Sequence, residues 1–237
     1  MAIETEKEHR KTKRAVTWFV FISLIASAVY AIVGIILADP GSIPDVPHGR
    51  VKSDYTLMLL QCLLGIAIMF LPSILKKRRK LAITNRMHIL FVTFLYCAIV
   101  LGEVRSFYYK VPHWDSFLHI FSGAMLGVVG FSIIDTLNDN KAIRTHMTDK
   151  FVAVFSFCFA LSLGTVWEIY EFAGDCILSL NMQKFALEDG TPLVGQLALQ
   201  DTMKDLIVDA VGVLAVVVYA YLMAKRKRRT DSEQITI

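Results

Sequence analysis

The chain is short of the features that staple small folds or mark common soluble chemistries. Its four cysteines, Cys62, Cys97, Cys158 and Cys176, are scattered through apolar segments, and no two form a CxxC pair. That spacing excludes a zinc ribbon or a disulfide framework and leaves small core residues. There is no HExxH, no GxSxG elbow and no P-loop, so the common signatures of zinc peptidases, serine hydrolases and nucleotide-phosphate binding are missing. No internal repeat or low-complexity segment is present. Charge is the scarcest feature of all over two stretches. Ala15–Ala38 and Tyr55–Leu75 contain no Asp, Glu, Lys or Arg. Each exceeds the roughly 18 uncharged residues that mark a candidate membrane-spanning helix.

What is present agrees with those two runs. Hydrophobic residues make up 55% of the 237 positions and the mean hydropathy is +0.52, well above an ordinary globular chain. The expected fold class is all-α: one integral membrane domain over 1–237 with about six transmembrane helices, near 15–38, 55–75, 88–108, 115–137, 151–175 and 203–224. The basic stretch Lys7–Arg14 followed by an uncharged run reads as a signal anchor, since the run exceeds a cleavable h-region. Nineteen of the 25 lysines and arginines lie in the N-terminus, the 76–87 and 138–150 loops and the C-terminus. By the positive-inside rule both termini are expected to be cytoplasmic in the plasma (inner) membrane. "KKRRK" (Lys76–Lys80) and "KRKRR" (Lys225–Arg229) then serve topology and anionic-lipid contact, and no nucleic-acid partner is expected. The 39–54 connector, rich in Pro, Gly and Asp, reads as turns. The 176–202 loop holds the turn signal "EDGTP" (Glu188–Pro192), and Leu193–Gln200 reads as a short re-entrant or interfacial helix.

The informative residues are acids at helix ends. "VWEIYEFAGD" (Val166–Asp175) places Glu168, Glu171 and Asp175 after an uncharged run. At about 100° per residue all three fall on one face. Asp201, Asp205 and Asp209 follow i, i+4, i+8 with Gly212 nearby, and Asp115 and His119 stand one turn apart, continued by Ser122. Counting about 1.5 Å per residue from the basic ends brings Glu103, His119, Glu168, Glu171, Asp205 and Asp209 to similar depths near the outer boundary. Lipid-facing carboxylates are costly, so each stripe should point inward and form a polar pocket open to the outer face. Gly123, Gly127, Gly130 and Gly164 would permit close helix approach. Several carboxylates in a low-dielectric site must share protons, pair with cations or bind metal. Nearby cations are Arg105 and Lys204, both read as ion-pair partners. Oxygen ligands with one imidazole suit Mg²⁺, Mn²⁺ or Zn²⁺. His119, Glu168, Glu171, Asp205 and Asp209 are therefore the expected metal ligands. His119, Asp115, Glu168 and Glu171 are the expected catalytic groups, with Asp115 positioning His119. Asp175 is the expected rim. Asp135 lies towards the other end. Trp114, Trp167, Tyr108, Tyr109 and Tyr170 read as an aromatic belt.

"HWDSFLHIFSG" (His113–Gly123), "GTVWEIYEFAGD" (Gly164–Asp175) and "DTMKDLIVDAVG" (Asp201–Gly212) together resemble the YjdF-like family of bacterial inner-membrane proteins of unknown function. More distantly, their order is similar to VanZ-like membrane proteins. There the corresponding positions are Asp115 and His119, then Glu168 and Glu171, then Asp205, Asp209 and Gly212. Asp209 replaces that pattern's Asn and Glu171 its usual Gln. The second resemblance implies a cell-envelope role linked to glycopeptide susceptibility. The expected function is a metal-dependent hydrolase or transferase acting on a lipid-linked or envelope substrate within membrane lipid. An ion- or proton-coupled transporter and a non-catalytic, partner-binding envelope protein are the alternatives.

Overall fold

The computed structural model describes residues 2–38, 50–79, 81, 83–138, 147–187 and 191–235. It is all-helical, and among the described residues six helices are long and apolar enough to cross a membrane. They are α1 (Ala2–Leu37), α2 (Lys52–Ile68) continued by α3 (Leu71–Arg79), α4 (Asn85–Leu95) continued by a π-helix (Tyr96–Val104), α6 (Trp114–Asn138), α7 (Asp149–Leu178) and α8 (Gln196–Ile235). A single-turn helix, α5 (Phe107–Lys110), precedes α6.

Local chemistry sets these boundaries. Thr84 and Thr148 cap α4 and α7, each hydroxyl accepting from the backbone N–H three residues on, which satisfies one of the four orphan donors of a helix start. Asp54 accepts from the N–H of Val51 at 2.8 Å and so secures the start of α2. The break between α2 and α3 lies just ahead of Pro72, which lacks an N–H and disfavours helical geometry in the residue before it. α7 stops at Ser179, whose φ of 53° is left-handed. The π-helix ends in carbonyls that Arg50 closes: its guanidinium donates to Glu103 O at 3.1 Å, Val104 O at 2.6 Å and Ser106 Oγ at 2.8 Å.

Helices pack in two groups. α1 contacts α2 and α4, while α6, α7 and α8 contact one another, and the α4–π edge meets α6 between the two groups. The first group is cored by Val20, Leu24, Cys62, Met69, Val92 and Leu95. The second is cored by Ala160, Val213 and Val217. A third small cluster bridges them, where Leu180 and Met182 of the loop after α7 pack on Leu57 of α2. Large apolar side chains such as Ile22, Ile36, Val154, Ile169 and Val211 stand on the outside, as lipid contact requires and water would not favour.

The sequence expectation differs at the start of the last span. Leu193–Gln200 is not a separate re-entrant helix. α8 begins at Gln196 and runs without interruption. Gly195, with a φ of 65°, starts it, and no Pro or further Gly follows until Gly212, so nothing breaks the helix between them. In the loop before it, Leu187 N donates to Thr191 O and Leu193 N to Phe185 O, a chain reversal in keeping with the turn signal. Glu188–Gly190, and residues 39–49 of the first connector, lie outside the described residues.

The contact that defines the second group is between α6 and α8. A Cβ on Gly212 would collide with the Ile120 carbonyl, and one on Gly123 would lie 2.7 Å from the Asp209 carbonyl oxygen. Both obstacles are backbone, which cannot move aside as a side chain can. Gly212→Ala should therefore lower stability by about 1–3 kcal/mol, while Val211→Ala, on the exposed side of the same helix, should not. Thermal unfolding in detergent reads this directly, and matching midpoints for the two variants would refute the close-packing account.

Candidate functional site

α6 and α8 approach closely enough to face their polar stripes at each other. His119 of α6 is the centre. Its Nε2 lies 3.8 Å from Asp115 Oδ1, one turn earlier on the same helix, and 3.9 Å from Asp205 Oδ2 across the interface. Its Nδ1 lies 3.4 Å from Asp209 Oδ2, an ion-pair distance whose geometry falls short of a hydrogen bond. The imidazole thus stands between carboxylates on both of its edges. Asp205 and Asp209 are 1% and 2% exposed. Ser122, one turn along α6, donates to Asp209 Oδ1 at 3.4 Å. α7 closes the third side: Gly164 lets the Asp209 carboxylate rest against its backbone, where any Cβ would collide with Oδ2.

Glu168 reaches the same interior from α7. It is 4% exposed, and among the described residues neither of its carboxylate oxygens meets a hydrogen-bond partner; Asp205 Oδ1 is likewise unpartnered. Buried polar atoms without partners cost about 1–3 kcal/mol each and are uncommon enough to need a reason. Glu171, one turn further, is engaged differently, accepting from the Trp167 indole N–H at 2.9 Å.

Ligand geometry separates these residues. Asp115, His119 and Asp205 each offer one atom, and all three atoms lie within 4.8 Å of one another. Asp115, expected only to position His119, joins this set. Asp209, expected as a ligand, takes the other edge of the ring. Glu168 and Glu171 stand on α7 outside the set, because the α6–α8 approach brings those two helices' stripes together first.

The cation nearest the cluster is Lys184, which sequence reasoning passed over. It lies in the loop after α7, with a left-handed φ of 47°. Its ammonium donates to Asp115 Oδ2 and lies 3.4 Å from Asp201 Oδ1, and it sits 5.5 Å from the centre of the Tyr108 ring. Burial works to lower its pKa, but Asp115 and Asp201 outweigh burial and hold it above the ordinary lysine value. Its contribution to stability is therefore complete below that ordinary value and is lost only as pH rises through the higher folded one. Lys184 stays charged across the neutral range. Arg105 and Lys204, the expected partners, make no such contact among the described residues: Arg105 is exposed at the end of the π-helix, and Lys204 acts on Asp201 only at longer range.

Asp175 is not a solvated rim. It is buried and accepts from Met182 N at 2.7 Å and Gln183 N at 3.0 Å. Gln183 in turn donates to Thr202 of α8 at 2.8 Å. These bonds tie the loop, and Lys184 with it, to both flanking helices. Glu103 and Tyr108 line the cavity that the site opens into, together with Asp115, His119, Glu171 and Lys184. His113 is exposed beside the start of α6, and Asp135 is exposed towards its far end, so neither reaches the cluster.

With this geometry in view, relatives can be compared. The chain belongs to the DUF2238 family, described as predicted membrane proteins, which it matches over residues 16–226. An uncharacterised protein of Thermotoga maritima is 28% identical over 157 residues, covering 66% of this chain and 69% of that protein. No solved structure matches.

Asp175→Ala removes an acceptor for two backbone N–H groups, each charge-assisted bond being worth about 1.5–3 kcal/mol. The 179–187 loop should then exchange its amide hydrogens at least tenfold faster while α6 and α8 stay protected. Unchanged exchange in the loop would show that Asp175 does not hold it.

Proposed function

We propose that this is a multi-pass inner-membrane protein that binds a divalent cation through Asp115, His119 and Asp205, and acts there on a lipid-linked or cell-envelope substrate. The observation that carries the proposal is the His119 imidazole, with Nε2 3.8 and 3.9 Å from two carboxylates on different helices and Nδ1 backed by Asp209 at 3.4 Å. A metal-bound histidine commonly turns its second nitrogen to a carboxylate in this way, which fixes the ring and strengthens the ligand. One imidazole with carboxylate oxygens suits Mg²⁺, Mn²⁺ or Zn²⁺. The unpartnered oxygens of Glu168 and Asp205 support the same reading, because a bound cation gives that buried negative charge its compensation.

A cation at this position would polarise a phosphoryl or carbonyl oxygen or activate water. Around it, Asp209 would hold His119 in place, Lys184 would offset the charge of Asp115 and Asp201, and Glu168 would be free to take or give a proton. The uneven spread of lysine and arginine supports cytoplasmic termini and, with them, a cluster towards the outer side. The YjdF-like resemblance supports an inner-membrane location, and the more distant VanZ-like one an envelope role.

Elemental analysis of detergent-purified protein tests the proposal. Wild type should hold close to one equivalent of a divalent metal after loading, and His119→Ala should hold none. Asp209→Asn should keep the stoichiometry but bind about 10–100-fold more weakly. Wild-type protein that neither copurifies with metal nor takes it up would end the proposal. A purely structural role for the acids predicts instead that these variants lose folded protein.

A further inference from the structure

The cavity beside the cluster has two chemically different ends. Its volume is about 310 Å³, at the small end for a ligand site. One end carries Glu103, Tyr108, Asp115, His119 and Lys184; the other runs between the two helix groups and is lined by Leu64, Ile68, Phe91, Leu95 and Leu126. The lining extends from Leu57 to Ile68 along α2 and from Asp115 to Leu126 along α6, each about 16 Å at 1.5 Å per residue. The cavity is therefore a long apolar slot with polar groups at one end. It runs between α2, α4 and α6, along the seam between the two helix groups.

The polar end also has a particular charge arrangement. The Asp115 carboxylate has two faces: Oδ1 looks towards His119 Nε2, and Oδ2 accepts from Lys184. A cation held by Asp115, His119 and Asp205 and the Lys184 ammonium would thus lie on either side of one carboxylate, both close to the cavity. A head group with a single oxygen could use one of them. A phosphate has enough oxygens to meet both, and phosphate oxygens favour charged donors of this kind.

We infer that the slot holds a single-chain lipid phosphate, its chain between α2, α4 and α6 and its phosphate between the cation site and Lys184. This rests on the cation site proposed above.

The test is binding to the full chain in lipid nanodiscs, with three probes: decyl phosphate, inorganic phosphate and decyl maltoside, each with and without Mn²⁺. In Mn²⁺, decyl phosphate should bind at least tenfold tighter than either of the others. At saturating Mn²⁺, Lys184→Gln should weaken decyl phosphate about tenfold, the scale of one charged hydrogen bond, and Lys184→Arg should restore it. Leu64→Trp on α2 and Met125→Trp on α6, where Met125 also lines the slot, should each fill it and bring decyl phosphate down to the affinity of inorganic phosphate while Mn²⁺ still binds. Equal affinity for decyl and inorganic phosphate would assign the site to free phosphate and overturn the lipid. Decyl phosphate binding that ignores Lys184, Mn²⁺ or both tryptophans overturns the inference while leaving the cation site intact. Failure of the wild type to bind Mn²⁺ sinks both.

Discussion

The structure depends on one close approach, that of α6 to α8 at Gly123 and Gly212. Where backbone meets backbone, side chains within the next two turns cannot diverge, and here those side chains are His119 and Asp209, one turn away, and Asp205, two turns away. In water the mutual repulsion of such acids would be screened. Inside an apolar bundle it is not, so packing must hold together groups that electrostatics would separate. The helix contact supplies the proximity, and the imidazole and the ammonium supply part of the compensation. α7 completes the enclosure by giving up a side chain at Gly164, which leaves room for the Asp209 carboxylate.

Charge compensation is distributed among elements with different mechanical support. His119 is on a long helix fixed by packing on both sides. Lys184 is on a loop fixed by two backbone bonds to Asp175, one side-chain bond from Gln183 to Thr202, and the burial of Leu180 and Met182 against the other helix group. Among the described residues Glu168 has no such partner. The site is therefore rigid where it would hold a cation and incompletely satisfied where a ligand or proton would arrive. Arg50 plays a comparable structural part at the end of the π-helix, where its guanidinium bonds the Glu103 and Val104 carbonyls and the Ser106 hydroxyl.

Uncharged runs made the first two spans legible, the basic loops and the apolar stretches between them marked the other four, and acid spacing made the polar stripes legible, because each is a property of a single helix or its ends. Asp115 with His119, and Asp205 with Asp209, could be placed on faces by counting. What counting could not show was which faces meet. Glu168 and Glu171 sit at a suitable depth, yet the tight α6–α8 contact assembles the ligand-distance set without them and draws in Asp115. Lys184 escaped notice because it lies in a loop, where neither depth nor facing can be counted, and its approach to Asp115 depends on the left-handed turn of its own backbone. Asp175 reads as solvated when seen as a helix end; its buried role appears only when the chain after Ser179 turns back over it. The early start of α8 was obscured by polar residues at 200–202 that continue its acidic face.

The loop carrying Lys184 has a consequence for how such a site would exchange its contents. Its apolar residues cover the seam between the helix groups, and its lysine neutralises Asp115. Any excursion of the loop away from Asp115 uncovers the cavity and withdraws a positive charge in the same movement. Opening and electrostatic affinity would then be a single mechanical variable: with Lys184 withdrawn the cluster would be the more negative, favouring cations over anions, and closure would reverse that bias.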